Sequence, residues 1–142
     1  MNDINSNYQQ CCLYFTANSL TRHINEMADG AFRTTGLSPS YAHLLLLVID
    51  NPGLTQNELS GRMNLKPSTL TRFFDKLVKK DLVERLQKGR EVNIYATNKG
   101  KESKILIDKA LNQLYKNYCD VLGEEFAVKL TAGIYKATCA FE

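Results

Sequence analysis

At 142 residues the chain is long enough to bury one core and too short for two ordinary domains. Its 44% hydrophobic and 23% charged residues exclude a disordered segment. Its longest aliphatic run, Leu44 to Ile49, falls far short of the roughly 20 residues that span a bilayer. The net charge of +3 says little in itself, but its distribution is uneven. Between Lys66 and Lys104 eleven basic residues stand against five acidic ones, and the rest of the chain is mildly acidic, which is the asymmetry of a phosphate-facing segment or of a solvated basic face.

From Tyr8 to about Phe32, apolar residues recur at helical spacing and predict one long first helix. Gly36 breaks it. Ser38 as N-cap and Pro39 in the first turn then open a second helix to about Asp50, apolar almost all round and therefore expected at the centre of the core. After Asn51-Pro52-Gly53, Thr55 and Glu58 form a capping box for a short third helix. Asn64 ends it, and Pro67 begins a fourth, so the pair predicts a helix-turn-helix.

The fourth helix carries an apolar stripe of Leu70, Phe73, Phe74, Leu77 and Val78, with Ser68, Thr69, Thr71, Arg72, Asp75, Lys76 and Lys79 left facing out. Phe73 and Phe74 read as core residues, since aromatics on such a stripe pack inward rather than stack on bases. After Asp81 the period changes to two, turns at Lys88-Gly89-Arg90, and returns through Val92, Ile94 and Ala96, a β-hairpin with a basic tip. The helical period resumes from about Asn98 to Val121, is interrupted at Gly123, and ends in a last helix bearing Phe126, Leu130, Ile134, Ala137 and Phe141. The terminal helices carry more apolar surface than a three-helix core and hairpin can cover, which predicts burial against a second copy of the chain.

The stretch Leu54 to Gly100 resembles the DNA-binding region of the MarR family of transcription regulators. Leu54, Thr55, Glu58, Leu59, Leu65, Ser68, Thr71, Leu77, Leu82, Val83, Arg85, Thr97 and Gly100 match the family pattern at its spacing. Asp81 stands where the family has glycine, and the wing is short, without the usual Asp-Arg pair at its tip. The resemblance implies a mainly α protein: a winged helix-turn-helix over 37–100 within a single MarR-type domain of 1–142. Helices at 7–34 and 101–142 would form the dimer interface. It also implies a cytoplasmic homodimeric repressor of double-stranded DNA, with a palindromic operator and release by a small-molecule or oxidative signal. The rival is a redox or ligand-binding protein that keeps this fold without specific DNA binding.

On a helix seated in the major groove, residues near the N-terminal end reach base edges and lysines farther along meet phosphates. Ser68, Thr69, Thr71 and Arg72 are thus placed for bases, Lys66, Lys76 and Lys79 for phosphates, and Arg85, Lys88 and Arg90 belong to the wing. Arg85 reads equally as a strand-end salt bridge.

No enzyme, cofactor or metal site is expected. Cys11 or Cys12 with His23 or His43 lacks an orienting third group for catalysis, and the spacing matches no compact zinc motif. The polar start from Met1 to Gln10 does not look like a secretory signal, and four cysteines without a CxxC pair read as reduced thiols. Gln10-Cys11-Cys12-Leu13-Tyr14-Phe15 is similar to the reactive-cysteine context of the hydroperoxide-sensing OhrR branch. That similarity implies Cys11 as a redox-sensing thiol with Cys119 as its partner in the other subunit; where the branch has two tyrosines that hydrogen-bond the thiolate, this chain has Phe15 and Ser38, with Tyr14 and Tyr41 close by in sequence. Simple packing of free cysteines is the other reading.

Overall fold

The computed structural model describes residues 7–142; the polar start of the chain therefore lies largely outside the described residues. The chain divides into two compact units. One is Phe32–Ala110, and the other joins the chain up to Ala31 with Leu111–Glu142.

In the first unit, helix α3 (Pro39–Asp50) places Ala42, Leu44, Leu45 and Val48 wholly out of solvent, as its all-round apolar sequence requires. Ser38 holds the N-cap position in extended conformation, but its hydroxyl makes no capping bond. Helix α4 (Gln56–Met63) starts on the expected capping box. The Glu58 N–H donates to Thr55 Oγ1 at 3.2 Å, and the Thr55 N–H donates to Glu58 Oε2 at 2.8 Å. Asn64 ends α4 in the left-handed region (φ 52°), and buried Ser60 closes the turn by donating to the Leu65 carbonyl at 2.7 Å.

Helix α5 (Pro67–Lys79) packs on α3 and α4 through Leu70, Phe74 and Leu77, all fully buried. The stripe is narrower than its five positions suggest. Phe73 is half-buried against the Tyr41 ring, with centroids 4.5 Å apart, and Val78 at the stripe's edge is exposed. The helix closes with the Leu82 N–H on the Leu77 carbonyl and the Asp81 N–H on the Val78 carbonyl, which is a Schellman motif. That motif needs a left-handed residue at Asp81, whose φ is 60°. Aspartate takes this conformation more readily than most residues, so the missing glycine is accommodated.

Strands β1 (Val83–Lys88) and β2 (Glu91–Ala96) pair antiparallel from Val83↔Ala96 to Lys88↔Glu91. The two-residue turn has Gly89 at positive φ (62°) and Arg90 at ordinary φ, as expected for a hairpin whose first turn position is glycine. The hairpin does not project unsupported. Gly53 N–H donates to the Ile94 carbonyl, Ile94 N–H to the Leu54 carbonyl, and Asn93 Nδ2 to the Gly53 carbonyl at 2.8 Å, so the α3–α4 loop forms a third edge. Helix α6 (Asn98–Leu122) begins at Thr97, whose hydroxyl accepts from the Gly100 N–H and donates to the Asp81 carbonyl.

In the second unit, the expected single first helix is two helices, α1 (Tyr8–Cys11) and α2 (Leu13–Phe32). Cys12 is extended between them (φ −91°, ψ 121°), and the Thr16 hydroxyl spans the break to the Gln9 carbonyl at 3.3 Å. Periodicity cannot see such a break, because one extended residue barely shifts the phase of the apolar positions. The end of α6 leads through Gly123 (φ 83°) into α7 (Glu124–Phe141). Of α7 only Ala127 is buried; Phe126, Ile134 and Phe141 are exposed. No helix among the described residues is long and apolar enough to cross a membrane.

Candidate nucleic-acid interface

Two adjacent rows of side chains run along α5, each at helical spacing. The row Pro67, Thr71, Asp75 is engaged within the protein. Thr71 Oγ1 donates to the Pro67 carbonyl at 3.0 Å and accepts from Gln56 Nε2 on α4. The Arg85 guanidinium on β1 donates to Asp75 Oδ1 at 2.7 Å and lies 3.5 Å from the Thr71 carbonyl. The row Ser68, Arg72, Lys76, Lys79 is exposed to solvent along the whole helix. Thr69, between Ser68 and the core residue Leu70, is half-buried.

The long side chains of the exposed row are not all loose. The Lys76 ammonium lies 4.8 Å from the centre of the Tyr41 ring, a cation–π placement that fixes it at the side of α5. Lys79 and Lys76 occupy the last turn of α5, where the helix dipole favours cations. Lys66 holds the N-cap position with an exposed side chain. On the hairpin, Lys88 Nζ lies 3.4 Å from Tyr95 Oη and over that ring, while Arg90 is exposed at the tip beside Glu91. Arg90 also lines an open cleft with Thr55, Gln56 and Asn57 at the start of α4.

Of the residues singled out from the sequence, Ser68, Arg72, Lys76 and Lys79 thus share one solvent-facing row. Thr71, although exposed, is hydrogen-bonded to Gln56, and the half-buried Arg85 is paired with Asp75. Lys88 and Arg90 stand on the hairpin. Local pattern does not mark Tyr41, Gln56 and Asp75 as partners of this surface. Each acts through a partner 10 to 32 positions away in sequence, beyond the reach of any local pattern.

Cys11, Cys12 and Cys119 are half-buried, Cys139 is exposed, and all four are free thiols. Cys11 closes α1 rather than opening a long helix, and it is the Cys12 carbonyl that accepts the first bond of α2, from the Thr16 N–H. Tyr115 donates to Glu124 Oε1 at 3.1 Å; this bond and then one to Cys119 push its pKa up to about 12. Burial, followed by the charge of Cys119, raises Tyr118 as well. Among the described residues no group of three or more His, Cys, Asp or Glu could hold a metal, and His23 and His43 are both exposed.

The short pair α4–α5, the paired hairpin after it and the basic row on α5 define a winged helix-turn-helix. The MarR family model matches residues 37–92, from just before α3 into β2. That match covers the helix-turn-helix and most of the hairpin, the stretch in which the chain is similar to the MarR family. Its fold is similar to that of the transcriptional repressor CouR bound to a 23-mer DNA duplex, with a TM-score of 0.85 and 16% identity over 97% of this chain and 99% of that one. It is also similar to the S. aureus MepR–DNA complex (TM-score 0.74, 17% identity, 92% and 96% covered). A third likeness is to MarR from E. coli in its apo form (TM-score 0.73, 19% identity, 88% and 96% covered). No curated protein matches the sequence.

Proposed function

We propose that this chain is a DNA-binding transcription repressor of the cytoplasm, which binds a palindromic operator as a homodimer and is released by a small-molecule or oxidative signal. The observation that carries the reading is the row Ser68, Arg72, Lys76, Lys79, exposed on a helix whose opposite side is locked into the core. Ser68 and Arg72 lie toward the N-terminal end, where base edges are reached, and the lysines lie toward the phosphates. Thr69 and Thr71 flank the same turn, Lys66 stands at its start, and Lys88 and Arg90 supply cations from the hairpin. The CouR and MepR structures, both described as DNA complexes, support this reading by their fold.

Dimerisation is supported by the apolar side chains that α6 and α7 leave in solvent, Val121, Phe126, Ile134 and Phe141 among them. In such a dimer two α5 helices would meet successive major grooves roughly 34 Å apart. The oxidative arm of the proposal rests on Cys11 and Cys119, both half-buried free thiols. Gel-shift titration with duplexes from the DNA flanking its own gene tests the function. A retarded complex, competed by unlabelled duplex of the same sequence and not by random duplex, is expected. Equal competition by both would replace the repressor with a protein of the same fold that lacks specific DNA binding.

A further inference from the structure

Arg85 is a cation of the basic segment, yet its geometry is unlike that of Arg72, Lys79 or Arg90. Its side chain is only 30% exposed, and its guanidinium faces the Asp75 carboxylate at 2.7 Å. The same guanidinium lies 3.5 Å from the carbonyl of Thr71, one turn earlier on α5. Thr71 in turn receives Gln56 of α4. One line of contacts therefore runs from α4 across the row of Thr71 and Asp75 on α5 to strand β1, tying these three elements together.

We infer that Asp75 and Arg85 form a charge-neutral clamp that sets the angle between α5 and the hairpin, with Arg85 a positioning residue and not a phosphate contact. This rests on the DNA-binding reading above. Two physical consequences follow. The Asp75 carboxylate, 60% exposed, repels a phosphate that approaches Arg85, so the pair subtracts one cation from the face that DNA meets. The clamp also holds the base-reading row at a fixed pitch to the wing, so its loss should loosen sequence discrimination more than non-specific affinity.

Salt dependence separates a phosphate contact from a clamp, because each phosphate neutralised adds about 0.9 to the slope of log K against log salt concentration. The experiment is anisotropy titration of a random-sequence duplex at several salt concentrations, with the full chain and four variants checked for native circular dichroism. Asp75→Asn, which frees Arg85, should steepen the slope by about 0.9. The double variant Asp75→Asn with Arg85→Gln removes both charges of the pair and should keep the wild-type slope. Lys79→Ala and Arg72→Ala probe the exposed row itself, and Lys79→Ala should make the slope shallower by about 0.9. The double variant should also lose preference for a duplex selected from a random pool over the unselected pool. If the double variant is shallower by about 0.9 while Asp75→Asn alone changes nothing, Arg85 touches phosphate and the clamp is overturned, with the DNA-binding reading intact. If wild-type protein shows no salt-dependent binding and Lys79→Ala and Arg72→Ala change nothing, the DNA-binding reading falls, and the clamp with it.

Discussion

At the scale of single residues, Gly100 shows why one family-patterned position tolerates nothing else. It sits in the first turn of α6, where a Cβ would run into the carbonyl oxygen and carbon of Leu82. Backbone cannot yield as a flexible side chain can, so Gly100→Ala should destabilise the fold by about 1–3 kcal/mol, seen as a lower urea midpoint with an unchanged slope. Arg72 faces solvent on the outer row of α5. Arg72→Ala should weaken binding to a selected duplex by about 1–3 kcal/mol and flatten the preference at one position; equal losses on random duplex would reassign it to phosphate.

Tyr115 gives a pH test at the same scale. Its phenol is held protonated first by the bond to Glu124 and then by the bond to Cys119, with a folded pKa of about 12 against an ordinary 10.0. A group whose folded pKa is raised contributes stability below its unfolded pKa and loses it as pH rises through the folded one. The contribution is thus complete below pH 10.0 and vanishes through about pH 12. Glu124→Gln should move the phenolate absorbance transition of Tyr115 back toward its ordinary pH. An unmoved transition would show that the Glu124 bond is not what holds the proton.

At the scale of elements, α4 is only eight residues long, too short to persist without packing and caps. Its capping box answers two backbone donors, and Thr55 also bridges to Asn93 of β2. Thr55→Ala should therefore cost about 1 kcal/mol and raise hydrogen exchange at the Glu58 amide, which the hydroxyl protects. Thr55→Ser, which keeps the acceptor, should restore most of the protection. The hairpin is likewise bound to the loop before α4 through Gly53, Leu54 and Asn93. Gly53 matters twice there, since its φ is 86° and a Cβ would press on the Tyr95 hydroxyl.

At the scale of the whole molecule, the exposed apolar residues of α6 and α7 set the expectation of a dimer. Sedimentation at micromolar concentration should give twice the 16.1 kDa chain mass; a folded monomer of 16.1 kDa that still binds selected duplex tightly would refute the dimer and its paired half-sites. For the oxidative signal, mild peroxide should produce a covalent dimer on non-reducing gels that Cys11→Ser and Cys119→Ser each remove, through a sulfenic acid at one thiol and attack by the other. Unchanged gels and unchanged DNA affinity after peroxide would leave the half-buried cysteines as packing residues.

The sequence alone determined what depends on neighbours within a turn or two: the capping box of Thr55 and Glu58, the first-turn proline of α5, the hairpin turn at Gly89, and the buried Leu70, Phe74 and Leu77. These follow from local hydrogen bonding and side-chain period, which a linear string carries in full. The break at Cys12 lay below that resolution, as did the exposure of Val78. Only the tertiary structure decided which polar residues of α5 are free. Thr71 and Arg72 are adjacent in sequence and both exposed, yet Gln56 and Arg85 bond to the row of Thr71 and Asp75 while the row of Ser68 and Arg72 faces solvent. The physical reason is distance along the chain: the partners that turn Thr71, Asp75 and Lys76 to their places come from α4, β1 and α3, and folding alone brings those elements within hydrogen-bond and ring-contact range.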